Sequence, residues 1–212
     1  IHLDYFRYKD SMYGYNYKGR KYFYDLYGID PIYLNNNSSF DNFEKKDSIN
    51  FIKQEWISFK QVQIDSLIKG LNSLVANYNE LKSKDIKLSA AVKPDIYEAK
   101  NRWNQNWDTW LNENYLDFVV IMNYYSDTES FSNNLWTIYK YFYSSKNINK
   151  IYIGINTLEQ NLGVISMRDI NTINQQVQNT KDFSFPGIAI FSSEYFNFNP
   201  TLYLEIFSER QK

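Results

Sequence analysis

The chain has 212 residues, 23 basic against 24 acidic side chains, a single histidine and no cysteine. Charge so nearly balanced gives no field to steer the chain to nucleic acid or an anionic membrane, and the lack of cysteine excludes disulfides, thiol catalysis and cysteine metal sites. One histidine excludes a multi-histidine centre, 43% apolar residues suffice for a core, and 19% aromatic residues, with 20 Tyr, suit flat polar ligands such as sugars.

Residues 1–5 alternate, with Ile1 and Leu3 on one face and His2 and Asp4 on the other, as a strand does. A chain that opens inside a strand implies preceding sequence, so the missing leader says nothing about export. Residues 10–50, rich in Tyr, Asn and Gly, read as a long excursion with a short helix near Gly19–Tyr27 and a disordered stretch at 35–39. From about Asn50 to Lys84, Trp56, Phe59, Val62, Leu67, Leu71, Leu74 and Leu81 recur at helical spacing and predict a long amphipathic helix. A short apolar strand follows at 87–92, a helix at Trp103–Asn114 and a continuous buried strand at 116–125. The remainder reads as helix Phe131–Ser145, strand 150–155, helix Ser166–Lys181, strand 187–193 and a closing helix Pro200–Glu209, its proline suited to a first turn. No run approaches the roughly 18 apolar residues of a membrane span.

Strand and helix thus alternate five times, and the strands are solid apolar runs. Such runs imply parallel βαβ units buried on both faces. Five units do not close a (β/α)₈ barrel, which needs about 250 residues. Either an open five-stranded sheet or the C-terminal part of a barrel, strands four to eight, fits; the start inside a strand favours the second. The whole of 1–212 is then one partial barrel domain, with 10–50 as the excursion after its first strand.

In a parallel barrel, function collects at the C-terminal strand ends. Those ends carry His2, Asp4, Arg7 and Tyr8, then Asp95, then Asn123, Tyr124 and Asp127, then Glu159, then Ser192, Ser193 and Glu194. The set lacks a metal triad, a phosphate loop and a Ser-His-Asp order, so no metal or other cofactor is expected. Carboxylates beside aromatic rings are what glycoside hydrolysis uses: one protonates the leaving oxygen, another attacks or stabilises the oxocarbenium carbon. Each residue also has a plainer reading. Asp4 is equally a strand-end acid paired with Arg7, and His2 a hydrogen-bonded lumen residue. Trp103, Trp107 and Trp110 form a helical core stripe before they form a sugar platform, and Glu159 and Glu194 read as ordinary loop acids.

The stretches IHLDYFRY (1–8), YGYN (13–16), YGIDP (27–31), KLSAAV (87–92), QNWDTWL (105–111) and LDFVVIMNYYSD (116–127), in this order, resemble glycosyl hydrolase-like family 10. The resemblance implies an exported, periplasmic or cell-envelope bacterial (β/α)₈ barrel that cleaves polysaccharide, namely peptidoglycan glycan stripped of its peptides. It implies that residues 1–5 are barrel strand four with Asp4 its acid, read here as the nucleophile or oxocarbenium stabiliser, and it leaves the general acid among Asp95, Asp127, Glu159 and Glu194. His2, Arg7, Tyr8, Gln105, Trp107, Asn123 and Tyr124 are then the substrate-binding residues, and the partner implied is the missing N-terminal half of the barrel or a second copy. The family pattern is broken at Lys9, Lys60, Asn106 and Ile121. A more distant similarity to chitinase-like family 18 puts Phe6 where that family has its catalytic Glu, so its substrate-assisted mechanism does not carry over. The broken positions keep open a degenerate barrel that binds glycan or a partner without cleaving.

Overall fold

A computed structural model of the protein describes residues 1–35, 43–161, 163–183, 185–193 and 200–201. These fall into two compact units, one of 1–4, 87–95 and 111 onward, the other of 5–86 and 96–110.

The first unit is an α/β fold around a curled, half-barrel parallel sheet of five strands. Its strands are β1 (His2–Leu3), β2 (Ser89–Val92), β3 (Phe118–Met122), β4 (Ile151–Asn156) and β7 (Ile188–Phe191), neighbours in that order and all parallel. One face of each of three strands is fully buried, through Ala90 and Val92 of β2, Val119 and Ile121 of β3, and Ile151, Ile153 and Ile155 of β4, while the alternate residues Phe118, Val120 and Met122 of β3 are partly buried. At Gly154, a Cβ would stand 2.7 Å from the Ile121 carbonyl oxygen and 3.2 Å from Tyr124 Cε1, so only glycine lets β4 lie this close to the end of β3. Helix α5 (Thr128–Phe142) buries Phe131, Leu135, Ile138 and Phe142, one stripe at helical spacing. Helix α6 (Ile170–Lys181) starts at an Asp169 cap and buries Ile173, Gln176, Val177 and Thr180.

A hairpin that the sequence reading placed partly in a helix intervenes before α6. Strands β5 (Leu158–Asn161) and β6 (Val164–Met167) pair antiparallel, with Gly163 at φ +84° in their turn. Ser166 and Met167, expected at the start of helix Ser166–Lys181, are therefore extended. The closing helix expected at Pro200–Glu209 lies outside the described residues beyond Thr201.

The second unit is largely helical. Helix α1 (Tyr17–Tyr27) begins where the Asn16 side chain accepts from the Gly19 amide at 2.9 Å, and ends at Gly28, whose φ of +70° a side chain would resist. Helix α2 (Phe43–Lys82) runs 40 residues, so it begins inside the expected excursion 10–50, of which 36–42 lie outside the described residues. Phe23, Leu34 and Trp56 form its core with Tyr15, Tyr27, Ile29, Ile52 and Phe59 packed around them. The buried stripe of α2 differs from the one predicted. Trp56, Lys60, Ile64, Ile68 and Val75 are buried, whereas Leu67, Leu74 and Leu81 are 61%, 64% and 81% exposed. The predicted helix Trp103–Asn114 is two helices, α3 (Ile96–Trp103) and α4 (Trp107–Asn112), parted where Asn104 takes φ +54°.

Candidate functional site

The C-terminal ends of β1, β3, β4 and β7 carry the polar groups of the first unit. β1 offers His2 and Asp4, and the next residue, Tyr5, takes φ +54°, a conformation that costs a bulky side chain free energy. His2 Nδ1 lies 2.8 Å from Ser89 Oγ on the paired strand β2. Burial lowers the His2 pKa, opposed by the charge of Asp4. Tyr124, after β3, is pushed up to about 12 by burial and then by Asp4. Its phenol therefore stays protonated at any neutral working pH, a permanent donor within the field of the Asp4 carboxylate. The ring stacks on Phe191 of β7 at 5.6 Å and 16°.

The β3 exit is held by a group that sequence reading missed. Arg168, 4% exposed, donates through Nη1 to the Tyr125 carbonyl at 2.9 Å and to Gln176 Oε1 at 3.3 Å, and through Nη2 to the Tyr124 carbonyl at 3.4 Å. Gln176 Nε2 also donates to the Tyr125 carbonyl, at 2.9 Å. These bonds fix the backbone that carries Tyr124. Reading 166–181 as one helix hid Arg168; the available signal was Gly163 with the cap residue Asp169 just beyond. Asn123 is fully buried and donates to the Phe131 carbonyl at 3.2 Å, while its Oδ1 and Ser192 Oγ are buried without a hydrogen-bond partner among the described residues. These unsatisfied polar atoms, at the ends of β3 and β7 on either side of β4, are costly to bury.

The other sequence-expected residues divide as follows. Asp127 caps α5, accepting from the Ser130 amide at 2.7 Å, and that bond lowers its pKa. The hydrogen bond observed for Asp127 is that of a helix cap. Glu159 sits on β5, where Ser166 Oγ approaches it at 3.5 Å. Asp95 is an exposed residue just past β2. Glu194 lies outside the described residues.

Arg7, Tyr8, Gln105 and Trp107 belong to the second unit. The Arg7 guanidinium lies over the Tyr5 ring at 4.9 Å. Gln105 is 1% exposed, its amide donating to the Ala99 carbonyl at 2.8 Å. Trp107 is fully buried, so its ring offers a sugar no face; it is a core residue. Trp110, equally buried, donates from Nε1 to Asp65 Oδ1 at 2.5 Å, and Asn106 donates to Asp65 Oδ2 at 3.3 Å. Burial raises the Asp65 pKa against those two bonds. Lys60, 2% exposed, donates to the Ser11 and Tyr13 carbonyls at 3.0 and 3.4 Å. The rings of Tyr8, Tyr15 and Trp56 surround its ammonium at 5.5–5.8 Å. Burial lowers its pKa to about 8, with Asp10 opposing. Among the described residues no group of three metal-ligating side chains occurs, and no helix is long and apolar enough to cross a membrane.

No family model matches the chain, and no curated protein matches it by sequence. Among solved structures, the chain is similar to the PgaB (BpsB) glycoside hydrolase domain from Bordetella bronchiseptica, with a TM-score of 0.70 and 11% identity. The match covers 100% of this chain and 56% of that one, so the chain spans a little over half the length of its structural neighbour. At this identity the likeness is one of fold: the chain has a glycoside hydrolase-like α/β fold.

Proposed function

We propose that the chain is part of a glycoside hydrolase of glycosyl hydrolase-like family 10 that cleaves denuded bacterial cell-wall glycan outside the cytoplasm. In this reading the five parallel strands are barrel strands four to eight. Asp4 attacks or stabilises the anomeric carbon as the glycosidic C–O bond breaks, a second carboxyl gives its proton to the leaving oxygen, and water completes the hydrolysis. Glu159, Asp95 and Glu194 are the carboxyls for the acid role. Tyr124 and His2 orient Asp4 and the sugar.

The observation that carries the reading is Asp4 itself. It is a carboxylate at the C-terminal end of a parallel strand, followed by a strained tyrosine, and its field acts on both His2 and Tyr124. The glycoside hydrolase-like fold supports the reaction class. Incubating the chain with denuded glycan strands should release new reducing ends. Their absence, with the chain folded, would contradict hydrolysis. A second reading, a barrel that binds glycan without cleaving it, draws on the burial of Gln105 and Trp107 and on the capping role of Asp127. Retention on insoluble peptidoglycan without product release would favour it.

A further inference from the structure

Within the second unit, the loop before α1, the first turns of α1 and the middle of α2 enclose a cleft of about 360 Å³. This volume lies at the lower end of the range of small-ligand sites. Its walls use Tyr8, Asn16, Lys18, Tyr22, Phe59 and Gln63. Tyr22 is 58% exposed and meets Phe59 at 5.8 Å and 42°, so two rings form an open apolar wall. Tyr8 is fixed on the other side. Gly14, at φ +98°, packs so near that a Cβ there would stand 2.8 Å from Tyr8 Cε1 and 2.9 Å from Lys60 Cδ. A glycine in a left-handed conformation thus presses the loop against this ring, and the cleft is shaped before any ligand arrives.

The chemistry of the lining is selective. Rings present apolar faces to the C–H face of a pyranose. Two side-chain amides, Asn16 and Gln63, both donate and accept, as an acetamido group does. The Asn16 oxygen is engaged by the Gly19 amide, which fixes the direction of its NH₂. Among the described residues the wall has one cation, Lys18, and no carboxylate, so an ammonium sugar would meet repulsion and no counter-charge.

We propose that this cleft is a subsite for an N-acetylated hexosamine unit of a glycan strand. Tyr22 and Phe59 lie under the sugar ring, and the Gln63 and Asn16 amides meet the acetamido group. The proposal rests on the glycan-acting reading above and adds a site to it.

The test titrates the full chain by calorimetry at pH 7 with three tetramers: N-acetylchitotetraose, cellotetraose and the glucosamine tetramer. The parent should bind N-acetylchitotetraose at least tenfold more tightly than either of the others. Tyr22→Ala should weaken that binding tenfold or more. Gln63→Ala should weaken it three- to tenfold and shrink the preference over cellotetraose. Both side chains are exposed, so the melting temperature should stay at the parent value. Equal affinity for the three tetramers, no binding by the parent, or affinities within twofold of the parent in both variants would overturn the subsite. If the parent hydrolyses denuded glycan and Tyr22→Ala leaves its KM unchanged, the subsite falls and the hydrolase reading stands. If the parent hydrolyses nothing and both variants still lose tetramer affinity, the subsite stands and the hydrolase reading falls.

Discussion

Lys60 shows how much a single residue can hide from a sequence. It sits on the buried stripe of α2 among Trp56, Ile64 and Ile68, and its ammonium is held by two carbonyls and three rings. Its stem supplies the apolar packing that a pattern reader assigns to leucine. With its pKa lowered to about 8 from an ordinary value near 10.5, the folded protein gives up this proton before the unfolded chain does. Between those values the unfolded state binds more protons, so stability rises with pH, by about 1–2 kcal/mol from pH 8 to 10. Above that range Tyr8, whose pKa burial raises, works in the opposite sense, because the unfolded chain loses the phenolic proton first. The melting temperature of the parent should therefore climb from pH 8 to 10, and that of Lys60→Met should not. Equal slopes in the two proteins would refute the burial effect. Asp127 gives a simpler expectation: Asp127→Ala should cost about 1 kcal/mol of stability, as lost caps do, and leave glycan turnover within twofold of the parent. A large loss of turnover would return Asp127 to the catalytic set.

At the scale of elements, the parallel strands were legible because they read as solid apolar runs, such as Phe118–Met122 and residues 151–155. The helix break at Asn104 was not, since Trp103, Trp107 and Trp110 keep helical spacing straight across it. The β5–β6 hairpin escaped because its strands, LEQN and VISM, are short and do not alternate strictly, and only Gly163 marks the turn. On α2 the apolar residues outnumber the positions that the fold buries, so periodicity located the helix and not the face. The same limit applies to the site. The positions of Asp4, Asn123 and Tyr124 just past strand ends could be read from the apolar runs, whereas the full burial of Trp107 and the clamp of Arg168 depend on tertiary packing that no local pattern records. Two substitutions test the packing at the β3 exit. Gly154→Ala puts a methyl against the Ile121 carbonyl and should cost about 1–3 kcal/mol, read from the denaturation midpoint. Arg168→Met removes charge-assisted bonds to the Tyr124 and Tyr125 carbonyls and should lower turnover along with stability. Stability within 0.5 kcal/mol of the parent in both would show that this exit is not rigidly set.

The chain carries a formal charge of −1, so a glycan bound as proposed would be held by rings and hydrogen bonds and not by a long-range field. Its affinity for denuded glycan should change by less than about twofold between 50 and 500 mM salt, unlike a ligand held by phosphate contacts. A steep salt dependence would point to a charged ligand. The match covers 56% of the neighbouring structure, and in this chain Asp4 follows β1 of a five-stranded parallel sheet, which is why the proposal centres on it. The most direct measurement is therefore turnover of denuded glycan strands by Asp4→Asn, a change that keeps shape and removes charge. If Asp4 is the catalytic carboxylate, turnover falls by at least about 10²–10³-fold, equivalent to about 3–4 kcal/mol of barrier, while glycan binding and the melting temperature stay near the parent values. Turnover within about tenfold of the parent, or loss of folding, would contradict it and leave Asp4 a structural strand-end acid.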